Sequence, residues 1–182
     1  WLTDLASSLA KTVYIDAVQN GLSADDRADI NAAVLADIDT AKTGVYNEYT
    51  IELANLHISK LFGLSDVIFV KPVGPSQITK DQKLSSTQLQ ESIYMGALIG
   101  ALPLIAKDKS ISYTAALTDI TELLVQRRGQ LLQKDTSGNE IALADIYGKA
   151  VSLLEENINY LKTAGARLPP EAEAALSKLK SI

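Results

Sequence analysis

Glycine and proline divide this chain at helix-length intervals, and between them apolar residues recur at every third or fourth position. A stripe with that spacing can be buried only as one face of a helix packed against its neighbours. Leu5, Leu9 and Val13 form the first stripe, which predicts a helix from about Thr3 to Asn20 stopped by Gly21. Ser23 is placed to cap a second helix, with Asp25 and Asp26 in its first turn. Ile30, Val34, Ile38 and Ala41 line that helix, and Gly44 ends it. Thr50 is read as the cap of a third helix, which bears Leu53, Leu56 and Leu61 and stops at Gly63.

From Ser86 or Thr87 the pattern resumes to about Lys107, with Pro103 expected to kink or break it. Ser112 caps a helix through about Arg127, carrying Leu117, Ile120, Leu123 and Leu124. A long helix is expected from about Ala142 to Thr163, closed by Gly165, and Pro169-Pro170-Glu171 opens an alanine-rich last one. Between Leu64 and Ser86 the sequence changes character. Val67-Ile68-Phe69-Val70 is a short β-prone run, and Lys71-Pro72-Val73-Gly74-Pro75 is turn and extended-chain chemistry. A lone strand is not a sheet. The expected fold is all-α: a single-domain bundle of six or seven helices over residues 1–182, with one long extended loop at about 64–86.

Composition narrows the chemistry. The 182 residues include no cysteine, which excludes disulfide scaffolds, thiolate metal sites and cysteine nucleophiles. His57 is the single histidine, so a multi-histidine metal centre is excluded too. The net charge of −5 argues against a surface built to neutralise phosphates. Residues 1–66 carry ten acids and four bases, so the negative charge is concentrated there, as a solvated face or a steering field for a basic partner. The apolar run from Tyr94 to Ala106 is 13 residues, short of the roughly 20 that span a bilayer, and is read as a core helix. Within it Gly96-x-x-x-Gly100 is a spacing that lets two helices approach closely.

No catalytic constellation emerges. Ser59 follows His57 by two residues, which on a helix turns the two apart, and there is no Gly-x-Ser-x-Gly turn. Asp135-x-Ser137-x-Asn139 resembles the start of a calcium loop, but Glu140 stands where glycine is required and Ile146 where the bidentate Glu belongs. Asp25, Asp26 and Asp29 share one helical turn, which the helix dipole explains. Arg127-Arg128 with Lys134 is too small a basic cluster for nucleic acid. Glu155-Glu156 point to different helix faces, and the tyrosines suit core packing with a wetted hydroxyl better than a sugar platform. No catalytic, cofactor-binding or metal-binding residue is assigned, and no cofactor is expected.

The run Ile51-Glu52-Leu53-Ala54-Asn55 through Ser59-Lys60-Leu61-Phe62-Gly63-Leu64-Ser65-Asp66 to Lys71-Pro72-Val73 resembles a helical segment of large exported surface proteins and lipoproteins of Gram-negative bacteria. Those chains also carry immunoglobulin-like, cadherin-like or carboxypeptidase-regulatory-like modules. The likeness covers residues 50–73, with fainter echoes in Tyr94-Met95-Gly96-Ala97-Leu98 and the Asp135–Gly138 turn. It implies a non-enzymatic role in display, adhesion or assembly at the cell surface or in the periplasm. The implied partner is another protein or a neighbouring module of the same chain; the charge argues against nucleic acid, and the apolar run is too short for a transmembrane segment in this stretch of chain. The chain starts Trp1-Leu2-Thr3 without an initiator Met and reads as part of something longer. The alternative reading is a module that holds a carbohydrate, peptide or small apolar molecule between helices, where the helix interrupted at Pro103 would border the 64–86 loop.

Overall fold

Several of the described helices begin or end where the local sequence supplies a cap. The computed structural model describes residues 1–14, 48–79 and 83–182. Among these are six α-helices and no strand: α1 (Leu2–Leu9), α2 (Glu48–Leu61), α3 (Ser86–Asp108), α4 (Tyr113–Gln126), α5 (Leu143–Thr163) and α6 (Pro170–Lys180). The all-α expectation holds. The second expected helix, with Ser23 and its aspartates, lies outside the described residues, as does the end of the first.

Two boundaries differ from the sequence reading. The first helix is α-helical only to Leu9 and continues as a π-helical turn over Ala10–Tyr14. Thr50 is no cap, because the helix is already formed at Glu48 and Thr50 is wholly buried inside it. The β-prone run 67–70 forms turns, with Phe69 85% exposed, and a short 3-10 turn at Pro75–Gln77 lies within the long loop. Pro103 does not break α3, which runs on through it with the proline on an exposed position.

The starts follow capping chemistry. Ser85 and Gln88 make a reciprocal capping box, the Ser85 Oγ accepting from Gln88 N–H and the Gln88 Oε1 accepting from Ser85 N–H at 3.1 Å. Ser112 Oγ accepts from Ala115 N–H at 3.0 Å, and Pro170 fills the first position of α6. At α5 the cap comes from elsewhere. Leu143 and Ala144 N–H donate to the carbonyls of Leu132 and Gln133, and Asp145 accepts from Ala142 N–H. The dipole's positive end is thereby closed by backbone.

Four ends are Schellman motifs, in which one residue turns left-handed and the amide beyond it reaches back five residues. Gly63 and Gly165 do this at φ +61 and +74. Ser110 and Arg128 do it at φ +56 and +52 without the freedom glycine has. The Leu-Phe-Gly-Leu run is therefore a helix stop whose flanking apolar residues, Phe62 and Leu64, are buried.

The described chain groups into two compact units. The first joins Trp1–Val67 with Thr121–Gln130. In it Leu2, Leu5, Ala6 and Leu9 of α1 pack on α2, whose Leu53, Ala54 and Ile58 are buried, and the edge of Trp1 meets the ring of Phe62 at 5.2 Å. The second joins Ile68–Ile120 with Leu131–Ile182. Its centre is α3, buried on nearly all sides from Ser92 to Ala106, with α5 and α6 packed on it and on each other. By length and composition α3 could cross a membrane, and most of its apolar stretch is buried inside the chain.

The two glycines of the Gly96-x-x-x-Gly100 pattern serve different neighbours. A Cβ at Gly100 would touch Leu153 of α5, which is the close helix approach the spacing predicts. A Cβ at Gly96 would lie 1.9 Å from the carbonyl oxygen of Val73. Here the extended segment 71–74 lies directly on α3, and Val73 N–H donates to Ser92 O at 2.9 Å.

Candidate functional site

His57, half-buried on α2, is a structural residue of the first unit. Its Nε2 lies 2.8 Å from the carbonyl oxygen of Gly129, so that nitrogen carries the proton and donates. Gly129, at φ +91, leaves room for the ring, since a Cβ there would meet His57 Cε1 at 2.4 Å. Ser59 is equally committed. Its buried hydroxyl donates to Asn55 O at 2.7 Å and accepts from Val67 N–H at 2.9 Å, fixing the turn after α2. Residues 50–67 are thus one local device: a helix, its glycine stop, and a serine that catches the returning chain.

The Asp135 loop closes on itself. The carboxylate accepts from Ser137 N–H at 2.9 Å, Ser137 Oγ at 2.7 Å and Glu140 N–H at 2.8 Å. These bonds, that of Glu140 first, hold its pKa well below the usual carboxylate range. Glu140 and Ile146 contribute as backbone and core respectively. Among the described residues no three acidic or imidazole side chains gather as a metal would need. Asp25, Asp26 and Asp29 lie outside them. Glu155 pairs with Lys180 at 2.8 Å on the surface, and Arg127 and Arg128 belong to the helix stop of α4.

Two tyrosines form a buried polar contact in the second unit. Tyr94 of α3 and Tyr147 of α5 are both buried and share a hydroxyl–hydroxyl hydrogen bond. Burial, first of all, raises both ionisation points above the usual value. Lys178 of α6 lies over the Tyr94 ring at 4.4 Å, a cation–π contact that ties the third helix to the pair. Among the described residues no buried side-chain nitrogen or oxygen lacks a partner.

A cleft of about 370 Å³ opens to solvent in the second unit, between the end of α3 and the first half of α5. Ile105, Ala144 and Gly148 supply its apolar and backbone surface, and Asp108, Lys109, Asp145, Lys149 and Ser152 its polar lining. Lys149 pairs with Asp108, while Lys109 Nζ donates to Gly138 O at 2.8 Å. The Ser152 hydroxyl donates to Gly148 O one turn back. The sequence reading placed a cleft beside Pro103 and the 64–86 loop; the cleft observed here borders neither. Its one sequence signal was Gly148, a glycine inside a helix with no stop to make, which costs about 1 kcal/mol relative to alanine. Nothing lies within 4 Å of where its Cβ would be, so packing does not require it. Comparison of the chain with protein-family models, with curated proteins and with solved structures finds no match.

Proposed function

We propose that this chain is a non-enzymatic helical module of an exported protein, acting in display, adhesion or assembly through a protein partner or its neighbouring modules. The observation that supports it is the use to which the reactive side chains are put. His57, Ser59, Asp135 and the Tyr94–Tyr147 pair each make hydrogen bonds that fasten one segment of the chain to another. Residues 50–67 of the stretch that resembles surface proteins of Gram-negative bacteria hold α2, its Gly63 stop and the Ser59–Val67 hydrogen bond. Cell fractionation of the native host tests export: recovery in the envelope or the medium is expected. Recovery in the cytosol alone would sink the proposal.

One observation favours a second reading, a module that binds a small ligand between helices: the open cleft over Gly148. A screen of small molecules against the intact chain by thermal shift tests it, since a ligand that binds only the folded state raises the melting temperature. No shift across the screen would reject this reading and leave the first standing.

A further inference from the structure

We propose that the cleft between α3 and α5 binds a small zwitterion of the amino-acid or dipeptide type, an inference that rests on the second reading above. The first observation is Gly148. It stands in the middle of α5 at an ordinary helical conformation, exposed, with open space where a side chain would begin. Elsewhere in this unit the helical glycines earn their place by contact, Gly96 with Val73 and Gly100 with Leu153. A Cβ at Gly148 would meet nothing beyond its own helix, and its absence keeps the cleft floor open beside the helix backbone.

The second observation is the charge pattern of the lining. Two acids, Asp108 and Asp145, and two bases, Lys109 and Lys149, surround a short apolar floor of Ile105 and Ala144. The four charges cancel, so the cleft favours neither an anion nor a cation. A molecule that carries an ammonium and a carboxylate a few bonds apart answers both signs at once. The Asp108–Lys149 pair does not close the site, since its side chains are 53% and 38% exposed and such pairs are held weakly. A ligand ammonium replaces Lys149 at Asp108, and the freed Lys149 takes the ligand carboxylate. The floor accommodates a small apolar side chain. The volume of about 370 Å³ is enough for a dipeptide.

The test is an amide NMR titration of the full 182-residue chain with L-alanyl-L-leucine, its N-acetyl derivative and its C-terminal amide, repeated on Gly148→Ala. Saturable shifts confined to the cleft residues are expected for the free dipeptide, with a Kd on the order of 1 mM, as a ligand this small allows. Blocking either end should weaken binding by about tenfold or more, as should Gly148→Ala, whose fold remains intact by its unchanged spectrum outside the cleft. Absence of saturable shifts with the dipeptide overturns the proposal, as does equal binding of the blocked forms or indifference to Gly148→Ala. Failure here with a Gly148-sensitive hit from another chemical class in the thermal screen would refute the zwitterion and keep the ligand-binding reading. Failure of both would refute the two together.

Discussion

One substitution made at three glycines should give three different results, because each glycine faces different surroundings. Within a helix, Gly→Ala stabilises by about 1 kcal/mol through backbone entropy when the new methyl meets nothing. Gly148 is that case, with no atom within 4 Å of the added Cβ. Gly148→Ala should therefore raise the melting temperature by about 2–4 °C, given the size of the chain. At Gly100 the methyl meets Leu153 Cδ2 at 2.4 Å, the far end of a flexible side chain. Turning that side chain off its rotamer costs about 0.5–1.5 kcal/mol, so the helix gain and the crowding nearly cancel. At Gly96 the obstacle is backbone: Val73 O at 1.9 Å and its carbonyl carbon at 2.7 Å. Relief requires the 71–74 segment to lift, and that breaks the Val73–Ser92 hydrogen bond as well. Overpacking at about 1–3 kcal/mol plus that bond at about 1 kcal/mol outweighs the helix gain, for a net loss of about 1–3 kcal/mol. Urea denaturation followed by circular dichroism measures all three. A Gly96→Ala variant as stable as Gly148→Ala would refute the close approach of Val73 to α3.

Further outcomes follow from the same structure. Gly129→Ala forces a left-handed conformation on a side chain that also strikes the His57 ring, and should destabilise by about 2–4 kcal/mol in the same denaturation assay. Ser110→Gly should do the reverse and stabilise by about 0.5–1 kcal/mol, the left-handed strain relieved exceeding the entropy lost. Ser59→Ala strands the buried Val67 N–H and should cost about 1–3 kcal/mol, with faster amide exchange at Val67 as its local mark. Tyr94 and Tyr147 ionise above the usual value near 10 in the folded chain, so their contribution to stability is complete below pH 10 and declines as pH rises past it. An ultraviolet titration should show two of the seven tyrosines resisting ionisation until the chain unfolds.

The helices were legible because their stripes, stops and caps are local. Ser112, Pro170, Gly63 and Gly165 each act within five residues of where they stand, and the structure uses them as the spacing implies. Thr50 misled because a serine or threonine before an apolar run looks the same whether it caps a helix or lies within it. Pro103 misled because the cost of proline inside a helix depends on which side faces solvent, and that follows from packing. The divided roles of Gly96 and Gly100 depend on a segment more than 20 residues earlier in the chain and on another more than 50 later, which no local pattern encodes. The cleft was invisible for the same reason: Asp108 and Lys149 are ordinary surface charges until α3 and α5 pack.

The order in which the chain contributes to its two units has a consequence for its modularity. Thr121–Gln130 belongs to the first unit, yet both stretches that flank it belong to the second, and the His57–Gly129 hydrogen bond joins residues 72 positions apart. No single scission of the polypeptide releases either unit whole. A ribosome must complete Gln130 before the first unit has all its parts, and α6, about 60 residues beyond α3, is needed before α3 is covered. Truncations and recombination breakpoints between residues 68 and 130 therefore split both units at once. Selection can carry this segment between genes only as one piece.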